Sequence, residues 1–261
     1  MNVLVFDIET IPDVDAGRRL YGFKGDEATV AATMFAKRME ESGSEFLSHY
    51  LHRVIAISVV LRQGEKFKIS SIGDVNTSEA ELIQRFYSCI EHYIPTLVSW
   101  NGTGFDLPVL HYRSLLHGIS APRYWEKGEH DQNFKWNNYL NRYHDRHTDL
   151  MDVLAAYSAR ANAPLDDIAK LLGFPGKMDM SGAKTWEAYL AGELAAIRDY
   201  CETDVLNTFL IYLRFMLLQG KLSRDNYQRE LQFVLNLLRA SEQPHLQTFA
   251  TACDNISFLA E

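Results

Sequence analysis

Cysteine, glycine, proline and net positive charge are all scarce in this sequence of 261 residues. The three cysteines, Cys89, Cys201 and Cys253, lie far apart without a Cys-x-x-Cys pair, which argues against a disulfide framework and a cysteine zinc site. With 15 glycines and 7 prolines, the chain is neither collagen-like nor of low complexity. Its formal charge of −8 argues against binding nucleic acid through a general positive field.

Long apolar runs are also missing. The longest apolar stretches, around 54–61 and 205–218, are too short or too interrupted to cross a bilayer, which takes about 20 apolar residues. The first residues lack the basic region of a secretory signal and reach Asp7 within a few positions. We therefore expect a soluble, cytoplasmic protein without a membrane segment.

Apolar and aromatic residues, in contrast, make up 47% and 12% of the chain, which is enough for a sizeable core. A polar insert, about 12–52, follows the first strand, and its middle, 27–51, has a helical pattern. Residues 118–147 are predicted to be irregular. The remaining patterns predict regular elements: strands at 2–8, 54–61, 67–72 and 96–100, and helices at about 78–92 and 107–116. From Thr148 onward the pattern is helical, with breaks at 162–164, 173–176, 181–182 and 220.

This order of elements predicts an α/β fold, with a sheet covered by helices. No repeat, low-complexity tract or proline-rich linker divides the chain. We therefore predict a single domain over 1–261, with a core at about 1–218 and a helical extension at about 222–261.

Acidic residues stand at three places where a structural role explains them poorly. Asp7 and Glu9 end the first strand, and their i, i+2 spacing directs both to one side of the sheet, where two like charges need a counter-ion. Solvent exposure at the end of a strand is the alternative, but the apolar run before Asp7 favours a central strand. Asp106 follows the strand at 96–100 and either caps the next helix or joins the same site. Tyr200 and Asp204, at i and i+4, share one face of a later helix.

Together and in this order, the three motifs resemble those of the DEDD exonuclease superfamily, in the type with tyrosine in the last motif. That type is found in the 3′–5′ proofreading domains of family-B DNA polymerases. The similarity lies in Phe6-Asp7-Ile8-Glu9-Thr10, Asn101-x3-Phe105-Asp106 and Tyr200-x3-Asp204. It covers residues 1 to about 218 and implies a ribonuclease-H-like mixed sheet flanked by helices. Because the chain is too short to hold a polymerase, it looks like a stand-alone 3′–5′ exonuclease.

The resemblance implies hydrolysis of single-stranded nucleic acid, with DNA preferred, by two divalent cations. Mg²⁺ or Mn²⁺ suits hard oxygen ligands, and such a pair can activate water and stabilise a leaving oxygen. Tyr200, with an ordinary pKa of about 10, would be a neutral hydroxyl that orients the water. The implied metal ligands are Asp7, Glu9, Asp106 and Asp204, and the implied substrate contacts are Thr10, Asn101 and Phe105. Phe105 is equally explained as a core residue, and Thr10 as a turn former.

Several other residues have two interpretations. Lys177 and Lys184 are either solvated or near the scissile phosphate. Six aromatic residues between 120 and 147 either stack on nucleic acid or attach an irregular loop to the body: Tyr124, Trp125, Phe134, Trp136, Tyr139 and Tyr143. His144 and His147 are predicted to be surface histidines rather than metal ligands. Asp149 with Asp152, and Asp166 with Asp167, are predicted to begin helices.

Two other functions remain open at this point. The same chemistry could act on RNA, because no residue clearly reads or rejects a 2′-hydroxyl. A binding module that keeps the fold without catalysis is the non-enzymatic alternative, although all four acids and the tyrosine are present. The roles of the insert and the extension, the oligomeric state and docking to a replication or repair partner are not determined by the sequence.

Overall fold

A mixed sheet of five strands lies at the centre of the computed structural model, which describes residues 1–178 and 182–253. Its strands are β1 (Asn2–Pro12), β2 (His52–Gln63), β3 (Lys66–Ser71), β4 (Thr96–Ser99) and β5 (His147–Asp149). They lie side by side in the order β3-β2-β1-β4-β5. β1 is antiparallel to β2 and parallel to β4, and β4 is parallel to β5. This mixed sheet, flanked by helices, is the expected ribonuclease-H-like α/β fold.

Helices cover both faces of the sheet. In chain order they are α1 (Val14–Tyr21), α2 (Glu27–Ser42), α3 (Glu79–Tyr93), α4 (Asp106–His117), α5 (Pro122–Trp125), α6 (Leu150–Leu154), α7 (Leu165–Leu171), α8 (Thr185–Leu190), α9 (Leu194–Leu218), α10 (Arg224–Arg239) and α11 (Pro244–Ala252). No helix in the described ranges has an apolar stretch long enough to cross a membrane.

The alternation of β1 explains the two cores. Leu4, Phe6 and Ile8 face one layer, which contains buried residues of α3 and α4. Val3 and Val5 face the opposite layer, which is formed by α9 and by buried residues of α10 and α11. Because side chains on a strand alternate between its faces, Asp7 and Glu9 continue the row of Val3 and Val5 toward α9.

The insert between β1 and β2 packs as a small third cluster built from α1, α2 and the turn before β2. Its buried residues include Val14, Val30 and Met34. Where the insert rejoins the sheet, the pairing of β1 with β2 shifts between Glu9 and Thr10, which is the signature of a β-bulge. The backbone N–H of Val54, next to this shift, donates to Oε1 of Glu79 at 2.7 Å.

The region 118–150 differs from the sequence prediction in three ways, and the first is the short helix α5 within the segment predicted to be irregular. A fifth strand, β5, occupies residues that were assigned to an irregular segment and the start of a helix, and it pairs Leu97 with His147. A strand of three residues is too short to show period-2 alternation, and only its partner β4 defines it. His147 was predicted to lie on the surface, which is wrong: it is buried, and its Nε2 lies 2.9 Å from Oγ of Ser99.

Most other boundaries agree with the predictions within a few residues, including α3, α4 and the hairpin between β2 and β3. The insert is helical at α2, although the helix ends at Ser42 rather than near Leu51. Asp149 accepts a hydrogen bond from the N–H of Asp152 and so begins α6, as expected. Asp166 and Asp167 lie in the first turn of α7. The break at 181–182 and the end of the predicted extension, 254–261, lie partly or wholly outside the described residues.

Candidate active site

The first acidic motif lies in the part of β1 that extends beyond the end of its parallel neighbour, β4. β4 pairs only with Val3 to Val5, so beyond that point β1 has a free edge facing α4. The free backbone N–H of Ile8 donates to Oδ1 of Asp106 at 3.2 Å. This hydrogen bond links the first motif to the second, and it follows from the short length of β4.

Asp106 is buried as the first residue of α4, while Phe105 is the residue that caps the helix. Asp106 is therefore not the N-cap of α4, which was one of its two predicted roles. The loop before it turns at Asn101, whose φ of 64° lies in the left-handed region that asparagine tolerates better than most residues. Gly102 fits because a Cβ there would approach the side chain of Ser99 to about 2.4 Å.

The third motif lies on the face of α9 that crosses the sheet. Ile197, Tyr200, Cys201 and Asp204 recur at helical spacing, and all are buried. Cys201 Sγ lies 3.5 Å from Oδ2 of Asp7. Ligand atoms of Asp7, Glu9 and Cys201 all lie within 4.8 Å of one another. The packing of α9 on β1 thus brings two motifs nearly 200 residues apart into one cluster.

The cluster has the chemistry of a divalent-cation site. Asp204 Oδ1 is buried and has no hydrogen-bond partner among the described residues, which leaves a charged oxygen without protein compensation. Asp7, Asp106 and Asp204 also line one open groove of about 600 Å³. Carboxylate oxygens are the donors that Mg²⁺ and Mn²⁺ prefer, so the residues present fit such ions.

Burial raises the pKa of every acid in the cluster, and the charges of the other cluster acids add to the effect at Asp7 and Glu9. The pKa of Asp7 is raised well above its ordinary value by desolvation and by the charges of Asp106, Glu9 and Asp204. Desolvation and the charge of Asp204 raise the pKa of Glu9 to about 8. The pKa of Asp106 rises to about 7, chiefly through burial. Burial raises the pKa of Asp204 to about 6, against the opposing effect of Lys177. A bound cation would reverse these shifts.

Lys177 stands at the edge of the cluster. Its Nζ lies 3.9 Å from Oδ2 of Asp204 and 5.5 Å from the centre of the Tyr200 ring. Burial, followed by the charges of Asp204 and Glu9, raises the pKa of Tyr200, so its hydroxyl is neutral at pH 7. Lys184, the other candidate lysine, is exposed. Lys177 therefore lies near the acids, as expected of a lysine close to the scissile phosphate, whereas Lys184 is a solvated lysine.

The three predicted substrate contacts lie around the acids. Phe105 is half-buried and lines both the groove at Asp7 and a second cavity at Glu9. Asn101 lines the groove and Thr10 lines the cavity. Thr10 Oγ1 lies 2.8 Å from Nδ1 of His52, whose pKa is lowered to about 4 by burial.

The aromatic residues between 120 and 147 divide into two groups. Tyr124, Phe134 and Tyr139 are fully buried in the layer of α3, so these three attach the segment to the body. Trp125, Trp136 and Tyr143 are exposed. His144 is half-buried and its Nδ1 accepts a hydrogen bond from the N–H of Asn138.

Two contributions to this region are missing from the sequence prediction. Asp149 does more than begin α6: its carboxylate also accepts hydrogen bonds from the N–H groups of Asn101 and Thr103, at 2.9 and 2.8 Å. The insert also reaches the site, because His49 Nε2 lies 2.8 Å from the carbonyl oxygen of Gly104. The position of Asp149 directly after a strand, like that of Asp7 and Asp106, could have indicated its role. No local sequence pattern indicates that the insert contacts the loop before Asp106.

Comparison with known proteins identifies the fold and the family. The fold is similar to the structure of the family B DNA polymerase from the hyperthermophilic archaeon Pyrobaculum calidifontis, with a TM-score of 0.50 and 17% identity. That match covers 96% of this chain and 27% of the polymerase chain, so this protein spans about a quarter of that neighbour. Among curated proteins, no match is found. A family model described as a predicted 3′–5′ exonuclease related to the exonuclease domain of PolB matches residues 44–253. With the match covering most of its length, the chain belongs to this family of predicted exonucleases.

Proposed function

We propose that this protein is a divalent-metal-dependent exonuclease that hydrolyses single-stranded DNA from its 3′ end and releases nucleoside monophosphates. The observation that carries the proposal is the convergence of Asp7, Glu9, Asp106 and Asp204 from β1, α4 and α9, with raised pKa values and one unpartnered buried oxygen. Such a cluster is unfavourable for the fold alone, and perturbed acids in a cleft are typical of functional sites.

The residues of the chain have separable roles in this chemistry. Two divalent cations held by the four acids would activate a water molecule and stabilise the leaving 3′ oxygen. Tyr200, as a neutral hydroxyl, can orient that water by hydrogen bonding. The Lys177 ammonium, close to Asp204, is placed to contact a phosphate oxygen. The relation of the protein's family to a polymerase exonuclease domain supports a nucleic-acid substrate.

Single-stranded substrate is favoured by the shape of the site. The acids line two open cavities, and Phe105 lines both of them, so an aromatic ring that suits unpaired bases lies beside the acids. With a net charge of −8, the chain has no general attraction for nucleic-acid phosphates, so binding depends on local contacts and on the cations. We therefore propose weak, distributive binding that depends on the divalent ion.

Release of nucleotides from labelled oligonucleotides tests the proposal. A single strand labelled at its 3′ end should lose its label first in the presence of Mg²⁺ or Mn²⁺, whereas a 5′-labelled strand should shorten stepwise. Asp7→Ala and Glu9→Ala should each remove cleavage while the far-UV circular dichroism stays unchanged. Glu65→Gln, in the exposed turn between β2 and β3, is the matched control and should cleave like the parent protein. Absence of cleavage with either metal would contradict the proposal.

The RNA alternative is separated in the same assay. Matched DNA and RNA strands of one sequence should show faster release from DNA, and equal or faster release from RNA would assign an exoribonuclease instead. A binding module would retain single strands without shortening them, and Asp7→Ala would leave its behaviour unchanged.

A further inference from the structure

A cleft lies between the edge strand β3 and the helix α3, on the face of the sheet opposite the acids. It measures about 410 Å³, which is within the range of small-molecule sites. It is called here the β3–α3 cleft, and its polar walls are formed by Lys68, Ser70, Arg85, Ser88 and His92. Its apolar floor belongs to the layer of α3 and includes Leu4, Val59 and Leu61.

The pairing of the strands places Lys68 at the end of an apolar row. Lys68 lies opposite Leu61 in β2, which in turn lies opposite Leu4 in β1. Phe67 and Ile69 pack on the other face, in the layer of α9, so alternation along β3 directs Lys68 to the α3 side. Its ammonium has no carboxylate or hydrogen-bond partner among the described residues.

The wall formed by α3 is one stripe of the helix. Its members share the spacing i, i+3, i+4 and i+7 of a single helical face: Arg85, Ser88, Cys89 and His92. Arg85 uses one terminal nitrogen for Glu81, at 2.5 Å, and keeps its other N–H groups for a ligand. Burial raises the pKa of the half-buried Cys89 thiol, and the nearby charge of Lys68 opposes that rise.

The β3–α3 cleft is cationic although the chain carries a formal charge of −8. None of the described residues that line it is Asp or Glu, whereas five aspartates line the groove at the acids. Lys68 and Arg85 come from different walls, and their mutual repulsion is relieved when an anion lies between them. Lysine on an edge strand commonly prevents pairing with other strands, which explains the exposed Lys66 but not the orientation of Lys68 into a cleft.

The remainder of the lining fits a flat, weakly polar group. The apolar floor can cover one side of such a group, and Tyr93 adds an aromatic ring whose centre lies 4.5 Å from that of His92. A ligand that matches both features combines a phosphate, which lysine and arginine bind through charge-assisted hydrogen bonds, with a planar ring system.

We propose that the β3–α3 cleft binds a nucleoside monophosphate, with the phosphate between Lys68 and Arg85 and the base on the apolar floor. The inference is independent of the proposed exonuclease activity, because the cleft and the acids lie on opposite faces of the sheet. Binding here requires no divalent cation, since the positive charge is supplied by side chains.

Protection of Cys89 from iodoacetamide tests the inference, because this thiol lines the cleft while Cys201 and Cys253 are buried. The full chain is alkylated in EDTA at mildly alkaline pH, and modification of each cysteine is followed by peptide mass spectrometry. Millimolar dAMP should slow alkylation of Cys89 severalfold. Inorganic phosphate, glucose 6-phosphate and deoxyadenosine at the same concentration should each protect it less, because each lacks the base or the phosphate.

The decisive variant is Lys68→Gln, which keeps most of the side chain and removes its charge. It should need about tenfold more dAMP for the same protection, because a charge-assisted hydrogen bond is lost. Rates with and without ligand are compared within each protein, since Lys68 also affects the thiol itself. Lys66→Gln is the matched control on the same strand, outside the cleft, and should be protected like the parent protein.

Three results would overturn the inference: no protection of Cys89 by dAMP, equal protection in Lys68→Gln, or equal protection by any one of the three partial ligands. The hydrolysis assay is a separate measurement. Cleavage without protection of Cys89 would contradict only the nucleotide site, whereas protection without cleavage would contradict only the exonuclease activity.

Discussion

The buried carboxylate of Asp204 destabilises the folded protein when no cation is bound. Asp204 is buried, one of its carboxylate oxygens has no partner in the described structure, and its pKa is raised to about 6. At pH 8 it is therefore ionised and repels Glu9, whose pKa its charge helps to raise. Function and stability make opposite demands on this side chain.

We predict that Asp204→Asn stabilises the metal-free protein and abolishes metal-dependent cleavage. The amide keeps the shape of the side chain and removes one of the mutually repelling charges. The midpoint of thermal unfolding in EDTA at pH 8 should rise by about 2–4 °C for each kcal/mol of repulsion that is removed. A midpoint equal to or below that of the parent protein would contradict the account of the cluster as strained by charge.

Asp149 shows how a residue away from the acids can position one of them. Its buried carboxylate accepts hydrogen bonds from two N–H groups in the loop that leads to Asp106, and it also caps α6. We predict that Asp149→Ala lowers the free energy of unfolding by about 1–3 kcal/mol, because the half-buried N–H groups of Asn101 and Thr103 lose their acceptor. Urea unfolding measures this loss.

The control for this prediction is Asp26→Ala, which removes the exposed cap of α2 and should cost about 1 kcal/mol. Cleavage should also fall in Asp149→Ala, because Asn101 and Phe105 lie in the same loop, and should be unaffected in Asp26→Ala. If both variants lose equal stability and activity, Asp149 has no special role in positioning the loop.

At the scale of elements, the sequence predicts best what is repeated and local. The apolar run of β1, the capping box of α3 and the long apolar pattern of α9 each specify an element from within its own residues. The resemblance of the three motifs to those of an exonuclease family groups Asp7, Glu9, Asp106, Tyr200 and Asp204 into one site, and the structure brings them together at one edge of the sheet.

Elements and contacts that depend on residues distant in the chain could not be predicted from local sequence patterns. β5 exists because β4 provides its hydrogen-bond partners, and His147 is buried because of that pairing. The link from Ile8 to Asp106 depends on where β4 stops. The insert is polar in sequence, yet Phe46 and His52 contact Phe105 across long separations in the chain. Nothing in a local pattern carries such information.

A buried ion cluster joins the insert, α3, α4 and β2. The Arg113 guanidinium on α4 pairs with Asp13 and with Glu79, and its Nε lies 2.7 Å from Oε1 of Glu79. The same Glu79 oxygen accepts the free N–H of Val54 on β2. The cluster therefore holds the insert, α3, α4 and the bulged strand together.

We predict that Arg113→Met destabilises the protein by about 3–5 kcal/mol, because it removes the guanidinium that pairs with the carboxylates of Asp13 and Glu79 and leaves Glu79 only His117 and the N–H of Val54 as partners. Arg85→Met is the matched control: Arg85 pairs with Glu81 on the exposed face of α3, and its loss should change the unfolding free energy by less than about 1 kcal/mol. Similar losses in the two variants by urea unfolding would show that the buried cluster contributes no more than a surface pair.

At the scale of the whole molecule, the acids couple stability to pH and to divalent cations. The folded-state pKa values of Asp7, Glu9 and Asp106 are raised, the last two to about 8 and about 7. The folded protein therefore keeps protons that the unfolded chain has released, and stability must fall as pH rises through these values. His52, His111 and His147 have pKa values lowered to about 4, which gives the opposite slope. That opposing contribution ends above the ordinary histidine pKa of about 6.5.

We predict that between about pH 7 and pH 8 the thermal midpoint falls in EDTA and falls less, or not at all, in MgCl₂. A cation competes with the retained protons, so the gain in midpoint on adding Mg²⁺ should grow with pH across this window. Differential scanning calorimetry of the parent protein and Glu9→Gln measures both slopes, and the variant should show a shallower fall in EDTA because its amide does not titrate. A gain from Mg²⁺ that is equal at both pH values, or a midpoint in EDTA that does not change, would mean that the four acids neither share their protons nor exchange them for a metal ion.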